Sequence, residues 1–298
     1  LKTIVCFLLT CSLYAGDGGK TGFAFLRIGN SARTAAMGEA AAATPDGANT
    51  ITWNPALLVL SRSSSLSLST NRWIEDMRLH TGALKFGNER AAWALNAVFT
   101  GVDGIQKREI PSEEPTAIIA SHDVAIGAAY ARRLNDRWAV GAGIRYVYER
   151  IESSVHAVGF DAGASYDLLV SGEPERWTIG ASLTHAGFSG KFVSKTVVMP
   201  ATFRLGTQYQ WIHSDYTYRL AADVVKLLKG DAYVHSGAEA GFQKMVFLRA
   251  GYQIGYTTRS WTAGMGLRWK DRLNLDYAFV PISNSLGNTH RFTIGIDF

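Results

Sequence analysis

The residues with chemical capacity in this 298-residue chain are mostly single charges set among apolar neighbours. Arg145, Glu149, Asp161, Asp167, Arg204, Arg219, Asp223, His235, Glu239, Arg249, Arg268, Asp276 and Arg291 fall on the face of an alternating pattern opposite its large apolar residues. An isolated buried charge is expensive, so the chemistry expected of this two-sign set is ion pairing across neighbouring strands rather than ion selection. Hydrolysis would need a serine, a histidine and an acid together. His122 beside Asp123, and Ser153 near His156, are the pairs that abundant serines and seven histidines produce by chance. No Gly-x-Ser-x-Gly elbow, HExxH helix or phosphate loop is visible, and the sequence predicts no catalytic residue, no cofactor and no metal site.

The elements that position these charges begin after a leader. Residues 1–15, LKTIVCFLLTCSLYA, carry one lysine, an apolar core and a small residue before Gly16, the pattern of a secretory signal peptide cut after Ala15. Lipid attachment at Cys11 is the weaker reading, because Thr10 is a poor match to the small residue such processing requires. Cys6 and Cys11 are the two cysteines and both lie in the leader, so the exported chain would have no disulfide and no thiolate ligand. Past the leader no run approaches the ~20 apolar residues of a membrane helix. A membrane protein with this sequence must therefore be a closed barrel. The net charge of +5 is dispersed, with no basic cluster or aromatic-basic stripe, which argues against nucleic acid.

From residue 63 onward, large apolar residues occupy alternate positions. Trp138, Val140, Ala142, Ile144, Tyr146 and Tyr148 form one such row, with Gly141, Gly143, Arg145 and Glu149 between them. Phe203, Leu205, Tyr209 and Trp211 repeat it, as do Val246, Leu248, Tyr252 and Ile254. Turn signals divide the region into about fourteen strands, an even number as a bacterial barrel requires. They begin near residues 63, 77, 91, 121, 137, 153, 175, 200, 215, 232, 245, 259, 271 and 287. Connections 101–120 and 189–199 are long and 134–136, 244–245 and 270–271 are tight, with every long one expected at the same end. A soluble sandwich also alternates. Long strands, aromatics near strand ends and a second face rich in glycine favour the transmembrane barrel. The final strand places Phe292, Ile294, Ile296 and Phe298 on one face, and a terminal Phe on such a strand resembles the signal read by the barrel-assembly machinery.

Residues 16–62 have a different character. Residues 31–44 are alanine-rich and suit a short helix, weakened by Gly38. Pro45-Asp46-Gly47 makes a turn, and Pro55 forces Asn54 into extended backbone. Phe25-Leu26-Arg27-Ile28-Gly29, Ala32-Arg33, Ala36-Met37-Gly38, Ala41 and Trp53-Asn54-Pro55-Ala56 together resemble the opening signature of the PorV/PorQ family, itself similar to FadL-type outer-membrane transporters. The resemblance is close over residues 23–60. It implies a fourteen-strand all-β barrel over 63–298, with the N-terminal segment as a hatch in its lumen. It also implies a place in type IX protein secretion, with secretion-system subunits or exported proteins as partners. Passage of small hydrophobic compounds is the alternative. Arg33, Met37, Gly38, Trp53, Asn54, Pro55 and Ala56 are the hatch or gating candidates. The Asn54 turn has an equally good structural role, seating the hatch on the wall, and Arg33 is placed to pair with a lumen carboxylate. Outer-membrane lipid is the expected surroundings.

Overall fold

Alternation over long segments dictates strands, and strands in a bilayer must close on themselves because hydrocarbon satisfies no backbone group. The computed structural model describes residues 21–73, 77–108, 114–168, 175–192, 195–283 and 287–298, so the expected leader lies outside the described residues. Seven strands lead: β1 Ser65–Arg72, β2 Arg78–Gly87, β3 Ala91–Lys107, β4 Ala117–Arg133, β5 Trp138–Arg150, β6 Ser154–Asp167 and β7 Glu175–Ser189. A short hairpin follows, β8 Lys191–Phe192 and β9 Lys195–Thr196. Seven more strands complete the chain: β10 Thr202–His213, β11 Tyr216–Leu227, β12 Ala232–Phe242, β13 Val246–Ile254, β14 Trp261–Trp269, β15 Leu273–Pro281 and β16 Asn288–Asp297. Leaving out the β8/β9 hairpin, the fourteen long strands form one closed antiparallel barrel, each paired with its sequence neighbour and β1 paired with β16 from Ser65↔Asp297 to Arg72↔His290.

The greasy face points outward. Trp138, Ile144 and Tyr146 on β5, Leu248 and Tyr252 on β13, and Phe292, Ile294, Ile296 and Phe298 at the C-terminus are exposed, while Arg145, Arg204, Glu239 and Arg249 point in and are buried. Aromatic pairs mark both rims. At the short-turn end Trp93 meets Tyr130, Trp138 meets Tyr166, and Trp177, Tyr209, Trp211, Tyr218, Tyr216 and Phe242 touch in series. At the opposite end Tyr146 and Tyr148 pack on His156, and Trp261 on Phe279. The rise from Trp138 to Tyr148, at ~3.3 Å per residue and a tilt of ~40°, is roughly 25 Å, the height of an outer-membrane hydrocarbon band.

Turns at the short end are tight. Gln243 and Lys244 (φ 49° and 56°), and Lys270 and Asp271 (φ 52° and 55°), take the left-handed pairs that match strand twist. Two connections differ from expectation. The 101–120 loop is largely strand, because β3 and β4 continue past the membrane band, with a register shift between Val102 and Ile105 and Gly104 at φ 75°. The end of β6 at Asp167 and the start of β7 at Glu175 are both at the short-turn end although seven residues separate them in sequence, so not every long connection joins strands on one side.

Inside, residues 23–60 fill the lumen. Ser31 caps a single helical turn, α1 Ala32–Ala36, accepting from Thr34 N. The alanine run does not extend it, because Gly38 (φ 64°) and Glu39 (φ 60°) are left-handed and redirect the chain. Three 3₁₀ turns, Ala24–Arg27, Gly47–Thr52 and Pro55–Leu60, complete the segment, which runs from the long-loop end to the start of β1.

The outward assignment is testable in vesicles. Ile144→Arg, placing a cation near mid-bilayer, is expected to destabilise the folded barrel by about 2–4 kcal/mol in urea titrations. A change under about 0.5 kcal/mol, the usual range for a solvated surface position, would mean that this face does not meet lipid.

The candidate functional site: a hatch clamped to the lumen wall

A segment with so little regular structure leaves most of its backbone N–H and C=O groups without local partners, and in a filled lumen the wall must supply them. It does. Thr293 Oγ1 accepts from Ala32 N at 2.9 Å, Thr262 Oγ1 accepts from Gly38 N at 3.1 Å and donates to Ala36 O at 2.9 Å, and Gln253 Nε2 donates to Gly38 O at 2.9 Å. Asp223 Oδ2 accepts from both Ala41 N and Ala42 N at 2.7 and 2.8 Å, and Ser182 Oγ donates to Trp53 O at 2.7 Å. At the two ends of the segment, Glu149 Oε2 accepts from Phe23 N at 3.0 Å, and buried Lys85 donates to Ser61 O and Ser63 O at 2.7 and 2.6 Å.

Close approach requires glycine on the wall. A Cβ at Gly251 would overlap Gly38 N, and one at Gly163 would overlap Asn54 Oδ1. The glycine-rich inner face is therefore the seat of the hatch. Asn54, fully buried, turns its Oδ1 to Ala56 N at 3.1 Å, capping the Pro55–Leu60 turn, while its Nδ2 donates to Ala42 O at 2.7 Å and to Ala164 O of β6 at 3.2 Å. Pro55 opens that turn, and Ala56 packs beside Gly141 of β5. Met37 lies over Gly237 of β12. Trp53 carries the Arg204 guanidinium over its ring, 4.5 Å from the centroid.

Two ionic clusters cross the hatch–wall boundary in opposite senses. In the first, hatch Arg33 binds wall Glu239 at 2.9 Å, Glu239 also takes Arg249 at 2.6 Å and Arg219, and Arg249 reaches Asp276 at 2.6 Å. In the second, hatch Glu39 binds Arg291 of β16 at 3.3 Å and Arg259, in the β13–β14 connection, at 3.8 Å. Burial works against the charge on Arg33, but Glu239 and Asp46 outweigh it and its affinity for the proton is raised. Burial alone would push the Glu39 carboxyl up; the guanidiniums of Arg259 and Arg291 overcome it and hold the group down at about 2.

Arg145 pairs with Asp161 at 3.0 Å, and Asp167 with Arg176 at 2.8 Å. Several charges expected to pair across strands do not. Glu149 and Asp223 serve hatch N–H groups, Arg204 stacks on Trp53 and donates to Glu39 O at 3.3 Å, Arg268 donates to Asn274 at 2.7 Å, and His235 bridges Glu39 O and the Tyr256 hydroxyl. Except at Arg268, the cause is the hatch itself, whose unpaired backbone competes with opposite charges for the wall's polar groups. Glu39, Lys85 and Arg259 were not singled out from sequence. A lone acid straight after Gly38 in an alanine run was the available signal for Glu39.

The hatch divides the lumen. Toward the long-loop end lies an apolar cavity of about 600 Å³, lined by Phe23, Phe25, Ile28, Trp73, Tyr256 and Ile282 among others. Toward the short-turn end lies a polar one of about 380 Å³, bordered by Arg33, Asp46, Arg219, Glu239, Arg249 and Asp276. They share no lining residue, and between them Met37, Ala40, Ala42, Ala56, Leu57 and Leu58 are buried. Among the described residues, the arrangement is a plugged tube with an apolar mouth toward the long-loop end.

A family model described as type IX secretion system protein PorV matches residues 18–232. The chain belongs to the PorV family. As a PorV-family barrel it is an outer-membrane protein of the type IX secretion system. No curated protein matches its sequence. Solved structures share its fold: the CymD monoaromatic hydrocarbon channel, 13% identical with a TM-score of 0.59, is matched over 90% of this chain and 96% of that one. The Pseudomonas putida toluene transporter TodX, 12% identical, is matched over 88% and 95% with a TM-score of 0.52. At these identities the similarity to the channels is one of fold, and this PorV-family chain places its own ionic clusters in it.

The clusters make two predictions. Glu239→Gln leaves three guanidiniums facing a neutral amide, and a cost of about 3–5 kcal/mol to hatch docking is expected, read as lost hydrogen-exchange protection over residues 23–60 while the barrel stays folded. Because Glu39 is depressed in the docked state, its contribution is complete above the ordinary carboxylate value near 4.5 and is lost as pH falls toward about 2. The hatch is thus expected to stay protected at pH 5 and to loosen below pH 4. Loosening between pH 7 and 5 would contradict this reading of Glu39.

Proposed function

We propose that the protein acts in type IX secretion as a docking or shuttle component, its wall and long-loop rim receiving secretion-system subunits or exported proteins while the hatch keeps the lumen shut. The observation that carries this reading is the reciprocal clamp, Arg33 on Glu239 and Glu39 on Arg291, which seals the tube of a PorV-family barrel. A plugged lumen with an apolar mouth suits the holding of a partner at the surface better than passage through the tube. The short-turn end faces the periplasm and the long-loop end the exterior, after export by the leader. Phe292, Ile294, Ile296 and Phe298 are proposed as the signal for the barrel-assembly machinery, with outer-membrane lipid against their face.

The apolar cavity favours one second reading, uptake of a small hydrophobic compound by a fold that the monoaromatic hydrocarbon channel CymD and the toluene transporter TodX share. It would require Trp53, Asn54, Pro55 and Ala56 to act as a gate, with Arg33, Met37 and Gly38 releasing the wall.

Mass spectrometry of the tagged protein, extracted in mild detergent from its own outer membrane, separates the readings. Docking predicts co-purified secretion subunits or cargo. Recovery of the barrel alone with a stoichiometric hydrophobic compound would make it a transporter. Asn54→Ala variants that leave export, uptake and hatch order untouched would remove residues 53–56 from either role.

A further inference from the structure

Between the hatch and strands β7, β10, β11 and β12 lies a small space of about 20 Å³, room for a single small occupant. Four donor side chains line it, Arg204 from β10, Arg259 from the β13–β14 connection, Trp53 from the hatch and His185 from β7, together with the Glu39 carboxylate and apolar side chains. His185 reaches it through a local distortion, a register shift between Phe160 and Ala162 on β6 together with a left-handed φ of 57° at His185 itself, whose N–H is held by Asp161 Oδ1 at 2.7 Å. His185 and Trp53 are each 4% exposed, and Arg204 is 6% exposed. Yet the Trp53 indole N–H and both His185 ring nitrogens find no protein partner. Buried polar atoms are nearly always paired, so a cluster of such atoms around one space points to an occupant.

The charge balance says of what kind. In this layer the guanidiniums of Arg204, Arg259 and Arg291 face the carboxylates of Glu39 and Asp223. Arg145 is matched by Asp161, and His235 donates from Nδ1 to Glu39 O with its Nε2 3.0 Å from the Tyr256 hydroxyl. One positive charge is left over. Arg204 makes no ion pair among the described residues and stacks on Trp53, while Arg259 contacts Glu39 at 3.8 Å and lies over the Tyr256 ring, 4.2 Å from its centroid. A deeply buried guanidinium without a carboxylate partner is costly, and a small anion between Arg204 and Arg259 offsets the cost.

We propose that this space holds one small monovalent anion of chloride size, gripped by the Arg204 and Arg259 guanidiniums with N–H donors from Trp53 and His185. The anion then belongs to the seat of the hatch, joining a hatch residue, Trp53, to three wall residues from different parts of the barrel. It adjoins the apolar cavity, with which it shares Arg27, Tyr256 and Arg259, and does not depend on the role proposed for that cavity.

Crystals of the full chain grown or soaked in sodium bromide give the direct readout. An anomalous bromine peak between the Arg204 and Arg259 guanidiniums is expected, and it should vanish in Arg259→Gln. In solution, the tryptophan-fluorescence unfolding midpoint of the unaltered protein should rise by roughly 2–4 °C in sodium chloride or bromide relative to isethionate at equal ionic strength, with saturation, and this difference should be absent in Arg259→Gln. The unaltered protein suffices if that variant does not fold. A water without anomalous signal in the space, bromide at surface positions alone as an adventitious ion only, or identical midpoints in halide and isethionate would each overturn the proposal.

Discussion

The whole architecture turns on one obligation: a nearly irregular segment fills the lumen, and the polar groups it does not satisfy itself must find partners on the wall. Regular structure would have met that demand locally, but α1 is a single turn and the rest of residues 23–60 is 3₁₀ turn or irregular chain. The wall answers with side chains spread around the barrel, including Glu149 on β5, Ser182 on β7, Asp223 on β11 and Thr293 on β16. Two of the charges the hatch brings are met on the wall with the opposite sign, Arg33 by Glu239 and Glu39 by Arg291 and Arg259. A hatch shifted by one residue along its path would leave both sets unmatched, so the clamps fix its register as well as its attachment.

The same obligation explains the composition of the inner face. Interior positions of small barrels are usually filled by side chains, but here much of the filling is backbone, and only glycine lets two backbones meet. That is why Gly163 and Gly251 stand where the hatch passes. It also explains why several wall charges abandon ion pairing: Asp223 gains two backbone N–H donors from the hatch, and Glu149 gains one.

Much of the barrel could be read from the chain because a strand's two faces are a local property. The row from Trp138 to Tyr148 announces its own inside and outside, and the terminal row from Phe292 to Phe298 does the same. The hatch was legible as a change of character and a resemblance, with Asn54-Pro55-Ala56 at its centre. What could not be read is which wall residue meets which hatch residue. That Arg33 needs a carboxylate follows from the cost of burying its charge; that the carboxylate is Glu239 depends on strand tilt and closure, which bring together residues more than two hundred positions apart. Glu39 escaped for the same reason, since its partners Arg259 and Arg291 come from the far end of the chain. The extra length of β3 and β4 was hidden by a bulge that interrupts the alternation at Val102.

For a PorV-family barrel, a lumen sealed by mutual charge exchange concentrates accessible chemistry at the rims and on the outer wall. The most direct test of the clamp is a double-mutant cycle on Arg33→Ala and Glu239→Ala, with hydrogen exchange over residues 23–60 as the readout. The account predicts a coupling free energy of about 1–3 kcal/mol between the two positions, with the double variant less damaged than the sum of the singles. Strict additivity would contradict it, because the hatch would then be held by shape alone and the pair at the centre of this structure would be incidental.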